Sequence, residues 1–200
     1  MARNPHSCCR TGLLLTRCPL GPAHCTPWTM FKNIILTGFM GTGKTSVGVE
    51  LARDIGYTFV DSDSLIEAGQ NMTITDIFAR FGEPRFRDIE TSVIETILRG
   101  ERQVISTGGG AVIRDANREA FRKAGFVVCL SAAPEVIYER VKREMHRPLL
   151  RTADPLTKIK ELLADRERFY RQADLIIDTS NMSVHAVVQA IKERIIHAYC

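Results

Sequence analysis

The chain has 200 residues, 44% hydrophobic and 25% charged, which is the balance of an ordinary globular protein long enough to bury one core. Its formal net charge of +4, with Arg3, Arg10 and Arg17 in an acid-free opening stretch, leaves no basic surface of the size nucleic acid requires. No apolar run approaches the roughly 20 residues a membrane-crossing helix needs, so neither nucleic acid nor a membrane is expected as a partner.

Residues 1–29 differ from the rest and hold four of the six cysteines (Cys8, Cys9, Cys18, Cys25). Their Cys and His spacings fit no zinc pattern, and Leu13-Leu14-Leu15 is too short for a secretory core. The stretch reads as a disordered leader or a mis-assigned start, with Met30 as the true start and one domain over 30–200. Cys129 and Cys200 are far apart in the chain, no disulfide framework is evident, and a cytoplasmic setting is expected.

From residue 30 on, short apolar runs predict strands at 31–37, 58–61, 103–106, 126–130 and 174–178. Between them, helices are predicted at 44–55, 63–69, 73–80, 84–99, 115–124, 134–144, 155–172 and 183–198. Alternation of the two means an α/β protein built on a parallel sheet.

Gly38-Phe39-Met40-Gly41-Thr42-Gly43-Lys44-Thr45 fits G-x-x-x-x-G-K-[ST] and lies between the first strand and the first helix, the setting that makes the pattern a phosphate-binding loop. Glycines let backbone N–H groups converge on a phosphate chain, and the helix that follows adds its positive dipole end. Lys44 supplies a mobile charge for the outer phosphates, and the Thr45 hydroxyl suits Mg²⁺. Asp61-Ser62-Asp63 ends the second strand. Period-2 alternation puts both carboxylates on one side at the sheet's ligand-binding end, one for a metal and one for an acceptor hydroxyl, although Ser62 or Asp63 would also serve as the cap of a helix from about Ser64. Gly82-Glu83-Pro84-Arg85-Phe86-Arg87-Asp88-Ile89-Glu90 opens a helix in which Arg87 has acids four before and three after. That is either a surface ion pair worth about 0.3–0.5 kcal/mol or a guanidinium held to grip a planar carboxylate. Ser106-Thr107-Gly108-Gly109-Gly110 follows the third strand and allows a ligand to approach the backbone closely. The basic stretch Met145–Pro155, bracketed by prolines, suits a mobile flap or a plain connection. Nothing local separates Arg166 from Arg168, or marks Arg140 or Arg143.

These motifs, in this order, resemble the shikimate kinase family from about residue 32 to about 180: the loop Gly38–Thr45, Asp61-x-Asp63, Gly82-Glu83-x-x-Phe86-Arg87-x-x-Glu90, Ser106-x-Gly108-Gly109-Gly110, Arg147-Pro148-Leu149-Leu150 and Arg166-x-x-x-Tyr170. The resemblance implies a three-layer P-loop kinase fold with a five-stranded parallel sheet in order 2-3-1-4-5 and a mobile lid at about 145–155. It implies ATP-dependent phosphorylation of shikimate at its 3-hydroxyl, in aromatic amino acid biosynthesis, with Mg²⁺ accompanying ATP. Position by position it implies Gly41, Thr42, Gly43, Lys44, Thr45, Ser46, Arg140 and Arg147 at ATP, with Arg140 against the adenine. Thr45 and Asp61 would hold the metal, and Ser106 would support its water shell. Asp63, Arg87, Gly108, Gly109, Gly110 and Arg166 would hold shikimate, and Asp63, Lys44 and Arg147 would be the catalytic groups. A monomer is implied too. Two other readings stand beside it: a gluconate or nucleoside monophosphate kinase on the same fold, and a nucleotide-binding protein that does not catalyse.

Overall fold

The computed structural model describes residues 31–142 and 154–199. Five strands, β1 (Asn33–Thr37), β2 (Thr58–Asp61), β3 (Gln103–Ser106), β4 (Gly125–Ser131) and β5 (Leu175–Asp178), form one sheet in the order β2-β3-β1-β4-β5. Every pairing is parallel. The helices are α1 (Lys44–Ile55), α2 (Ser62–Gln70), α3 (Ile74–Ile97), α4 (Asp115–Ala124), α5 (Pro134–Val141), α6 (Pro155–Tyr170) and α7 (Val184–Tyr199), with a short 3-10 turn at Ala111–Ile113. No helix among the described residues is long and apolar enough to cross a membrane.

Strand alternation sorts the core into two layers. Ile34, Leu36, Val104, Val128 and Leu130 pack on one face against Val47 and Leu51 of α1 and Val188, Ile191 and Ile195 of α7. Ile35, Ile105 and Val127 face the other way, onto Ile94 and Ile97 of α3 and Phe121 of α4. Central strands covered on both faces are apolar at nearly every position, which is why they were legible as unbroken apolar runs. A satellite cluster of Ile66, Ile77, Phe86 and Ile89 ties α2 to α3 beside the sheet.

Two predicted helices, 73–80 and 84–99, join in α3 as one run broken at Gly82, whose φ of 77° and ψ of 170° are non-helical. Pro84 begins the second segment, where its missing N–H costs nothing. The polypeptide leaves β1 at the centre of the sheet, visits β2 and β3 on one side, then β4 and β5 on the other. The loop after β1 therefore sits at the topological switch point, where open α/β sheets bind ligands.

Candidate active site

The loop after β1 has the geometry its glycines allow. Gly38 has φ 129°, and a Cβ there would lie 2.1 Å from the Leu130 carbonyl oxygen, so no other residue fits. The ammonium of Lys44 is buried and donates to the carbonyls of Gly38 (2.9 Å) and Phe39 (2.8 Å). Thr42 turns inward, its hydroxyl donating to Phe39 O at 2.8 Å, while Thr45 and Ser46 are exposed. A hollow of about 180 Å³ is lined by Gly41, Gly43, Lys44, Thr45, Ser46, Asp61, Asp63 and Ser106.

Asp61 and Asp63 meet at this hollow, but not through strand alternation. β2 ends at Asp61 and α2 begins at Ser62, so Asp63 arrives on the first turn of a helix. Neither Ser62 nor Asp63 is the cap. Asp61 Oδ1 accepts from the N–H groups of Asp63 (3.0 Å) and Ser64 (3.2 Å), and its Oδ2 accepts from the Thr45 hydroxyl at 3.2 Å. Ser62 is buried and instead accepts from Gly108 N–H at 3.1 Å, which pins the glycine loop against α2.

A larger cleft of about 820 Å³ opens next to the first. Its polar groups include Asp63, Glu67, Arg87, Glu90 and Arg166 beside the Gly108–Gly110 loop, and Met40, Phe78 and Phe86 are among its apolar walls. Thr45, Asp61, Asp63, Met40 and Gly109 belong to both cavities, so the phosphate hollow and the larger cleft share one wall.

Arg87 is not a surface ion pair. It is 8% exposed, with Nη1 on Glu90 Oε2 at 2.8 Å and Nη2 on Glu83 Oε1 at 3.0 Å. Burial alone would lower its pKa, but the two carboxylates outweigh burial and raise it. Burial pushes the Glu90 carboxyl up, Arg87 opposes this, and the Asp63 charge adds to it. Glu90 Oε1 is buried without a hydrogen-bond partner. A Cβ on Gly110 would lie 2.3–2.6 Å from the Arg87 guanidinium, which shows how closely that group lies against the loop.

The structure also distinguishes the arginines of α6. Arg166 is buried, reaches Gly109 O at 3.4 Å and has its guanidinium carbon 5.6 Å from the Phe39 ring centroid, whereas Arg168 is exposed over Phe169. One turn further, Tyr170 donates to the same Gly109 oxygen at 2.6 Å, and burial pushes its phenol up to about 12. Arg140 donates to Gly41 O at 3.2 Å and to Thr179 O at 2.7 Å, which brings it to the phosphate loop. Arg147, Arg143 and most of the predicted lid lie outside the described residues, as do residues 1–30.

Sequence reasoning offered Ser62 only as a helix cap and Glu90 only as an ion-pair partner of Arg87, and gave no site role to Thr179 or to the walls Met40, Phe78 and Phe86. Glu90 carried a signal in its spacing from Arg87. Thr179 carried none, since its hydroxyl joins Thr42 O (3.1 Å) to Ser131 O (3.0 Å), across 137 and 48 residues of chain.

Comparison with known proteins shows the family and the fold. Residues 40–196 match the sequence model of the family described as shikimate kinase. A shikimate kinase of Thermodesulfovibrio yellowstonii is 49% identical over 160 residues, 80% of this chain and 92% of that protein. One from Thermoanaerobacter pseudethanolicus is 44% identical over 168 residues, covering 84% and 96%. Among solved structures, a shikimate kinase from Acinetobacter baumannii in complex with shikimate superposes with a TM-score of 0.81 at 38% identity, covering 84% of this chain and 94% of that one. A gluconokinase from Sinorhizobium meliloti reaches a TM-score of 0.51 at 18% identity, a likeness of fold alone.

Proposed function

The chain belongs to the shikimate kinase family, and we propose that it transfers the γ-phosphoryl group of ATP to the 3-hydroxyl of shikimate, giving ADP and 3-phosphoshikimate. The observation that carries this reading is the wall shared by the two cavities: Asp63 borders both the phosphate hollow and the cleft that holds Arg87 and Arg166. A small polyol with one carboxylate asks for that set of groups. The two buried arginines suit the carboxylate, the Gly108–Gly110 backbone allows close approach, and Asp63 stands where an attacking hydroxyl needs an acceptor for its proton.

Phosphoryl transfer depends chiefly on positioning and charge neutralisation. Lys44 would leave its loop carbonyls for the outer phosphates, assisted by the first N–H groups of α1. Among the described residues no three His, Cys, Asp or Glu side chains gather as metal ligands. The pair that faces the hollow, Thr45 Oγ1 and Asp61 Oδ2, suits Mg²⁺, which takes one or two protein oxygens and completes its shell with phosphate and water. When bound, Mg²⁺ neutralises charge on the transferring group. Asp61 Oδ1 meanwhile caps α2 and so aims Asp63 into the cleft. A monomeric, cytoplasmic enzyme belongs to the same proposal.

The test is ADP release with Mg²⁺-ATP and shikimate, beside gluconate and nucleoside monophosphates. Turnover with shikimate alone is expected. Turnover with another acceptor would mean that Arg87 and Arg166 are misassigned, and ATP binding without turnover would favour a protein that does not catalyse.

A further inference from the structure

The 3-10 turn that continues the Gly108–Gly110 loop has all three of its carbonyls taken by two neighbouring side chains of α4. Asn117 Nδ2 donates to Ala111 O at 2.9 Å, and Arg118 Nη1 donates to Val112 O at 2.5 Å and Ile113 O at 2.8 Å. The same guanidinium reaches the far end of α6 and the turn after it, with its carbon 4.4 Å from the Phe169 ring centroid and Nε on Gln172 Oε1 at 3.1 Å, and it also pairs with Asp115. Arg118 is 9% exposed and lines neither the cleft nor the phosphate hollow. It stands near the start of α4, where the helix dipole disfavours a cation, and burial together with Arg122 and Arg168 lowers its pKa. Nothing in the catalytic chemistry calls for a buried cation there. What it does touch are the 3-10 turn that follows the glycine loop and the end of α6, and the glycine loop and α6 meet again where Tyr170 and Arg166 approach Gly109 O.

We propose that Arg118 is a positioning residue for the acceptor, a planar fork that fixes the glycine loop to α6 so that Gly109, Arg166 and Tyr170 share one geometry. This rests on the acceptor cleft assigned under the proposed function. Several coplanar donors hold two carbonyls, an amide oxygen and an aromatic face together, whereas a lysine ammonium is a single point on a flexible stem. Displacing binding groups by a fraction of an ångström weakens the acceptor's grip without touching the nucleotide.

The experiment compares shikimate KM, ATP KM and kcat for the unmodified chain, Arg118→Ala, Arg118→Lys and Gln172→Ala, well below each melting temperature. Both Arg118 variants are expected to raise shikimate KM about tenfold while ATP KM stays within about twofold, and Gln172→Ala, at an exposed position, to raise shikimate KM about two- to threefold. A folded Arg118→Lys chain with native shikimate KM would overturn the proposal, as would an equal rise in both KM values. If neither Arg118 variant folds, Gln172→Ala decides, and a native shikimate KM there overturns it. Should the unmodified chain use a different acceptor, the proposed function fails, and the same comparison with that acceptor still tests Arg118.

Discussion

Asp61 and Asp63 stand two residues apart and hold different positions because a strand ends and a helix begins between them. Asp61 uses one oxygen to cap α2 and the other to meet Thr45, while Asp63 lies on the wall shared by the two cavities. Asp63→Asn keeps shape and volume but removes the proton acceptor, so kcat is expected to fall about 10²–10⁴-fold while ATP affinity, read by titration, holds. Native turnover in that variant would rule out the role assigned to it. Gly110→Ala places a methyl within 2.3–2.6 Å of a guanidinium that Glu83 and Glu90 hold. Arg87 must shift, and shikimate KM is expected to rise with little change in ATP KM. Equal shikimate KM in the two chains would show that Arg87 does not grip the acceptor.

At the scale of elements, the break at Gly82 decides where Arg87 points, because the residue begins a new helical direction six residues after Asp76 in the first turn of α3. Its φ of 77° with ψ of 170° belongs to a region that essentially only glycine enters. The nearest atom to a Cβ there is Pro84 Cδ at 3.7 Å, so substitution meets backbone strain rather than a clash. Gly82→Ala is expected to cost about 1–3 kcal/mol in denaturant unfolding and to weaken shikimate binding as α3 readjusts. A variant with both properties unchanged would show that the break is not fixed by this residue. Composition also placed the two helix predictions on either side of Gly82 correctly, since a glycine followed by Glu-Pro ends one helix and starts another.

For the whole molecule, Cys129 and Tyr170 couple the fold to alkaline pH. Burial raises the Cys129 thiol from 9.0 to about 11 and the Tyr170 phenol from 10.0 to about 12. Between each pair of values the unfolded chain loses the proton first, so each group's contribution is complete below its unfolded value and is lost as pH rises toward the folded one. The melting temperature is therefore expected to hold to about pH 8.5 and to fall steeply toward pH 11, with Cys129 accounting for roughly 2–3 kcal/mol. Cys129→Ala lowers the curve by its lost packing but flattens its slope between pH 9 and 11, and an unaltered slope would show that the thiol is not the titrating group. The family match spans residues 40–196 and leaves residues 1–29 outside it, so a chain shortened to 30–200 is expected to match the full chain in turnover and melting temperature. A large loss in either would assign residues 1–29 a part in the domain.

Some features follow from the sequence because they are local. The phosphate loop is one contiguous pattern whose glycines, lysine and threonine act within a single turn. The three central strands showed as apolar runs because both faces of the sheet are covered there, the partly exposed edge strands β2 and β5 showed as short ones, and the Arg87–Glu90 pair is one helical turn of spacing. The rest depends on contacts between distant segments. Arg166 and Arg168 sit in the same charged helix, and only the packing of α6 on Phe39 and Gly109 buries the first and leaves the second in water. Arg118 looks like any surface arginine until the 3-10 turn and α6 close around it. Thr179 joins the phosphate loop and the end of β4 although 137 residues separate it from Thr42. A side chain's burial and partners are set by whatever the fold brings beside it, and no pattern within a few residues carries that information.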